Sequence, residues 1–302
     1  MKRILIPLFW AFPMIALSYG YTDTLKTDTA GFVKSLNKAT TWLTGKGFAL
    51  RKTLDGSKDE QKPATIMLNN DYENNFRYFT IDLGVKILEK TPVNQDHILW
   101  TLFPKVEWHK DGIPKDDKKK NNVTAGLNSE LVMTFADPWI TRPVITSSYD
   151  YKDDLIKKIK TTQLKGFITF TGTKNFAPGA STRTKGHVLI FRYYPYLGFE
   201  RYQDVQNNTS ASLFVKRIFA EFYPVSTLTH QHLQLTVDYA ERTVMSDDLF
   251  KQGDMHWLSL GLNIYPDGKG KIGIGLDYSK GEDPSSNFVK TDRLALGLKL
   301  KL

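Results

Sequence analysis

The chain has 302 residues, no cysteine, 41 Lys and Arg against 32 Asp and Glu, and 13% aromatic residues. Without cysteine there is no disulfide scaffold, no thiolate-held zinc or iron–sulfur centre and no cysteine nucleophile. A negative mean hydropathy, with no second apolar run of 18 or more residues, excludes a helical membrane bundle; collagen, coiled coil and disordered tail are excluded by composition.

Met1-Lys2-Arg3 is a short basic start, Ile4 to Leu17 is almost wholly apolar, and Ser18-Tyr19-Gly20 places small residues where a signal peptidase needs them. Residues 1–20 therefore read as a cleaved secretory signal, too short and too proline-interrupted to span a bilayer. In residues 21–46, Thr27 to Thr29 offer capping side chains, Phe32, Val33, Leu36 and Leu43 fall on one side, and Gly45 can stop the helix they imply. Such a segment suits a periplasmic mouth or a plug.

From residue 47 onward the dominant signal is alternation of period two. Phe79, Ile81, Leu83, Val85 and Ile87 alternate with Thr80, Asp82, Gly84 and Lys86. Near the end of the chain, Leu294, Leu296, Leu298 and Leu300 alternate with Ala295, Gly297 and Lys299. Twelve strands are expected, at 47–54, 63–70, 76–88, 97–108, 124–136, 164–173, 187–200, 211–222, 232–241, 256–265, 271–279 and 292–302. In 211–222 the pattern is ambiguous: Leu213, Val215 and Phe219 share a face with Arg217 and Glu221, while Phe214, Ile218 and Phe222 share one with Lys216. Segment 137–163 reads as a long external insertion, helical at 153–160, and 110–122 and 174–186 as connections on the periplasmic side.

Many of these stretches reach the length a tilted membrane strand needs, and their small-and-polar faces suit a wet lumen better than a solvated outer surface. The fold expected is an all-β, antiparallel up-and-down transmembrane barrel of about 12 strands, with 10 to 14 as the range. The signal peptide, the amphipathic strands such as His232 to Ala240 and Lys271 to Ser279, and the final strand Arg293 to Leu302 resemble Gram-negative outer-membrane β-barrel proteins in general pattern. That resemblance implies an outer-membrane location, lipid as the surrounding partner and a porin-like passive channel for small hydrophilic solutes, anionic ones included. A homo-oligomer is compatible with it, and nucleic acid is not an expected partner.

The expected lumen face carries Asp82, Lys86, Lys105, Glu130, Arg192, Asp238, Asp277, Lys299 and Lys301. Those charges either bias permeation or neutralise one another in a structural network. Two other functions compete with the channel: a sealed barrel that binds a surface partner through its loops, and a barrel hydrolase. For the hydrolase, His256 and Ser259 are three apart and so on opposite faces, His230 and His232 suit an ordinary turn, and Asp247, Asp248 and Asp254 suit a solvated loop. No catalytic residue, metal ligand or cofactor is assigned.

Overall fold

The computed structural model describes residues 49–52, 62–73, 75–87, 89–113, 119–183, 189–224, 232–266 and 271–301. The expected signal at 1–20 and helix within 21–46 lie outside them. The described chain is almost entirely strand: β1 (Ala49–Arg51), β2 (Ala64–Asp71), β3 (Phe76–Lys86), β4 (Lys90–Gln95), β5 (Ile98–Asp111), β6 (Asn121–Met133), β7 (Arg142–Asp154) and β8 (Ile159–Thr171). It continues as β9 (Thr182–Arg183), β10 (Leu189–Asp204), β11 (Ser210–Pro224), β12 (Leu233–Asp247), β13 (Met255–Ile264), β14 (Ile272–Asp283) and β15 (Val289–Leu300), with a single 3-10 turn at Pro284–Ser286.

Each long strand pairs antiparallel with its neighbours in sequence. The ring closes where β15 pairs β2, from Arg293 opposite Asp71 to Leu300 opposite Ala64. Three short strands only extend others: β1 continues the β2 edge along β3, β4 continues β3 along β5, and β9 continues β8 along β10. The result is a closed antiparallel barrel of twelve staves. Closure leaves no stave at a free edge, so each one has a ladder partner on both sides.

The count of twelve conceals two compensating differences from the expectation. The expected strand 47–54 is not a stave of its own: of its described residues, 49–52, Ala49–Arg51 is strand and lies end to end with β2 along β3. Conversely, the expected insertion 137–163 contains the stave β7, followed by a short turn and the start of β8. There is no helix at 153–160; Asp154 caps the turn by accepting from the Ile156 and Lys157 amides at 3.1 and 3.0 Å. The missed stave also reverses the direction of everything before it. Hence β5 ends and β6 begins at the same end as the 205–209 turn, not at the end where β2 begins and β15 finishes. The latter is called the near end here, and its opposite the far end.

Every stave has two faces, and they are chemically opposite. Outward residues are apolar: Phe79 is 64% exposed, Leu197 53% and Leu296 52%. On β10 the outward apolar run from Leu189 to Phe199 covers about 25 Å of height at a stave tilt of ~40°. Towards the far end this band is edged by Trp108, Tyr149, Tyr151, Tyr239 and Tyr278, and then by charged outward positions such as Lys110, Asp153, Arg201, Lys280 and Asp292. The ambiguous stave β11 resolves accordingly: Phe214, Lys216 and Ile218 point out and Arg217 and Glu221 point in. Lys216 is tempered by Glu241, 3.8 Å away on the neighbouring stave.

Candidate functional site: the barrel interior

The inward face of the staves is built from Thr, Ser, Asn, Gly and ionisable residues, and most of these are buried. Such groups are costly to bury unless paired. Space for long charged side chains is made by glycine. A Cβ at Gly126 would stand 1.9 Å from the Asp150 carboxylate, and one at Gly275 would stand 2.2 Å from Lys299 Cε.

Three networks hold the interior together. On the β3–β7 wall, Asp82 receives His109 Nδ1 at 2.9 Å, Lys120 at 3.2 Å and Lys52 at 3.1 Å. His109 in turn stands 3.6 Å from Glu107, and Lys105 lies between Glu107 and Asp150 at 3.3 and 3.2 Å. This makes a continuous chain of alternating charge across the wall. On the facing β10–β12 wall, Arg217 grips Asp238 with two nitrogens at 2.7 and 3.2 Å while its guanidinium lies over Tyr196 and Phe219. Arg242 grips Glu200 the same way at 3.0 and 3.3 Å, and the Tyr202 hydroxyl donates to that carboxylate at 2.9 Å. Paired guanidinium nitrogens make stronger and more directional contacts than an ammonium would. The third network, towards the near end, joins Lys299 to Asp277 and Asn263, both at 2.6 Å, and Asn263 to Gln234 at 3.0 Å.

These networks surround a cavity of about 330 Å³. It runs from Gln234, Tyr265 and Lys301 near one end to Asn122, Lys152 and Ser285 near the other. Among the described residues its lining holds ten basic side chains (Lys52, Lys62, Lys152, Lys165, Arg192, Arg217, Arg242, Arg293, Lys299 and Lys301) against six acidic ones: Glu107, Glu200, Glu221, Asp238, Asp277 and Asp283. Aromatic rings from Phe167, Tyr202, Phe219, Tyr223, Trp257 and Tyr265 share the lining.

The nine residues singled out from sequence do not form one ring. Asp82 and Lys105 sit in the first network, Asp238 in the second, and Asp277 and Lys299 in the third. Arg192 lines the cavity and donates to Ser181 at 2.7 Å, and Lys301 lines it near the last stave's end. Lys86 pairs with Glu89 at 2.6 Å and lies over the Phe103 ring, and Glu130 is buried on β6. Sequence reasoning missed Asp150 and Lys152, hidden in the supposed insertion, and Glu200, Arg242 and Asp283, which lie at or beyond the expected strand ends. The signal for the first pair was present: Thr146, Ser148, Asp150 and Lys152 alternate with Ile145, Ser147, Tyr149 and Tyr151.

Residues weighed for hydrolysis serve other purposes. His256 points outward and stacks with Tyr239, whereas Ser259 lines the cavity. His232 Nδ1 lies 3.0 Å from the Tyr265 carbonyl; its neighbour 230 is outside the described residues. Asp247 accepts from the Phe250 and Gln252 amides and Asp254 from that of Val244, so both carboxylates tie down the β12–β13 connection.

No protein-family model matches the chain. No curated protein matches it either. Among solved structures, a NanC porin aligns at 9% identity with a TM-score of 0.43, covering 79% of this chain and all of that one. The transport unit of the autotransporter AIDA-I from Escherichia coli aligns at 11% identity and TM-score 0.41, covering 82% and 93%. A protein from work on in-meso crystallization of membrane proteins aligns at 12% identity and TM-score 0.36, covering 80% and 84%. At these values the likeness carries no argument about this chain's fold or activity.

Proposed function

We propose that this chain is an outer-membrane β-barrel, exported through its N-terminal signal, whose lumen passes small hydrophilic solutes with a bias towards anions. One observation carries this reading: the barrel is inverted relative to a water-soluble protein, with Leu, Ile and Phe on the outer wall and ion pairs around a cavity inside. Exposing a continuous apolar wall to water is unfavourable, and lipid removes that cost. The excess of basic over acidic side chains in the lining supplies the anion bias, because charge beside a low-dielectric passage acts with little screening.

The test is conductance across planar bilayers. Purified protein should give steady current with a reversal potential on the anion side, and Arg192→Glu with Lys301→Glu should move that potential towards cations. A second reading is favoured by a different observation: at the far end the β14–β15 turn lies across the lumen. It makes the barrel a sealed support for its surface loops, and a bilayer that stays silent with wild-type and variants alike would establish that reading over the first.

A further inference from the structure

The staves β14 and β15 stop pairing at Asp283 opposite Val289. Between those partners, residues 284–288 turn inward over the barrel mouth. Asp283 organises the turn, accepting from the Ser285 amide at 2.9 Å and the Ser285 hydroxyl at 2.7 Å. The turn then reaches β7, which stands opposite β14 in the twelve-stave ring. There Lys152 Nζ donates to Asn287 Oδ1 at 2.7 Å and to the Ser285 carbonyl at 3.3 Å. Asn122 of β6 donates to the same carbonyl at 3.2 Å, and Lys120 donates to the Ser285 hydroxyl at 3.2 Å. Phe288 completes the closure: 1% exposed, it packs edge-on against Tyr202 and Phe250 at 5.5 and 4.9 Å, in a cluster with Leu213 and Met255.

Three features distinguish this turn from a fixed plug. First, Asn287 and Phe288 are consecutive left-handed residues, at φ of 56° and 62°. For an aromatic residue that conformation is strained and persists only because its surroundings hold it. Secondly, the groups the turn offers to Lys120, Asn122 and Lys152 are a hydroxyl, a carbonyl and an amide oxygen. Residues 284–288 carry no carboxylate, so release separates no ion pair there; it gives up the Asn287 amide donation to Asp154 at 3.5 Å and the Arg242 guanidinium over the Phe288 ring. Thirdly, a swing of 284–288 leaves the β14–β15 ladder intact, because pairing ends at 283 and 289, and costs one backbone bond, from the Phe288 amide to the Asp283 carbonyl at 2.9 Å. Just below, Gly281 sits at φ 112°, where a Cβ would stand 1.9 Å from the His256 carbonyl. Only glycine fits that irregular step in the stave.

We infer that residues 284–288 are a displaceable lid over the far mouth, latched by Lys152 on the opposite wall and seated by Phe288. This rests on the proposed channel reading, since it supplies the regulation of that passage. Because the chain has no cysteine, one introduced thiol reports on the lid alone. Met255, 1% exposed and packed under Phe288, is the site: Met255→Cys in otherwise intact protein should react slowly with a bulky charged maleimide. Replacing 284–288 by Asn-Gly, a two-residue turn that fits the Asp283–Val289 pair, should give the largest rise in rate, because only Tyr202, Leu213 and Phe250 with its neighbours then cover the thiol.

The milder variants Asn287→Gly and Lys152→Met keep the turn's length: the first loses one charge-assisted hydrogen bond from Lys152 and should raise the rate about tenfold, and the second loses two and should raise it by more. Equal labelling rates in wild-type, Lys152→Met and Asn287→Gly would overturn the lid and leave a fixed plug. Single-channel current measured on the Asn-Gly protein separates this from the function itself. Faster labelling with larger current supports both, whereas faster labelling in a silent bilayer keeps the lid and removes the channel.

Discussion

The outer and inner walls of this barrel share one backbone, yet different forces hold them. On the outside, Leu296 and Leu298 stand exposed, and their position depends on the solvent they meet. On the inside, Lys105, Asp150 and Glu107 are held by partners at fixed distances, and their position depends on geometry. The first wall tolerates any apolar residue and rejects a charge. The second accepts charges but rejects the loss of any one partner. A stave therefore carries two independent specifications on alternate residues.

Substitutions on the two walls test that contrast directly. The largest effect is expected inside: Lys105→Met leaves Glu107 and Asp150 facing each other in a fully buried site, and should lower stability by about 3–5 kcal/mol, read from urea unfolding in lipid vesicles. Leu296→Arg on the outer wall should cost about 2–4 kcal/mol in vesicles, and a loss as small as that of a surface substitution would mean the wall is wet. Arg217→Lys keeps the charge beside Asp238 but loses the paired nitrogens and the planar contact with Tyr196, for about 1 kcal/mol. The smallest effect belongs to Lys216→Met. Lys216 stands level with Leu197 in the apolar band, 3.8 Å from Glu241; removing its charge from the outer wall is favourable and leaving Glu241 unpaired is not, so the two effects oppose and the net change should be below about 1 kcal/mol.

The same contrast explains what was legible in the sequence. Alternation is visible only where one face is apolar, so the staves appear in the sequence as long as they run through the apolar band. At the far end they continue as hydrogen-bonded ribbons with polar residues on both faces: Arg201 and Gln203 beside Tyr202 and Asp204, Lys280 and Glu282 beside Asp283. There the period-two signal vanishes while the pairing persists, which is why β10, β12 and β14 all extend beyond their expected ends. The stave β7 was missed for a related reason. Its outward residues include Ser147, Tyr149 and Tyr151, too polar to stand out against Ser148 and Asp150. The inward orientation of Asp82, Lys105, Asp238 and Lys299 follows from parity within each stave, so it survives an error in stave direction. Which charge meets which was not legible, because Arg242 with Glu200 and Lys105 with Asp150 join staves that are not neighbours.

The most direct measurement is a nitroxide scan along β15 in lipid vesicles, one cysteine at a time from Arg293 to Leu300, comparing collision with dissolved oxygen and with a water-soluble nickel chelate. Labels at Leu294, Leu296, Leu298 and Leu300 should favour oxygen, and those at Arg293, Ala295, Gly297 and Lys299 should not, giving a clean two-residue period. A scan in which the leucine positions meet the nickel chelate as often as the lysine position would contradict the account.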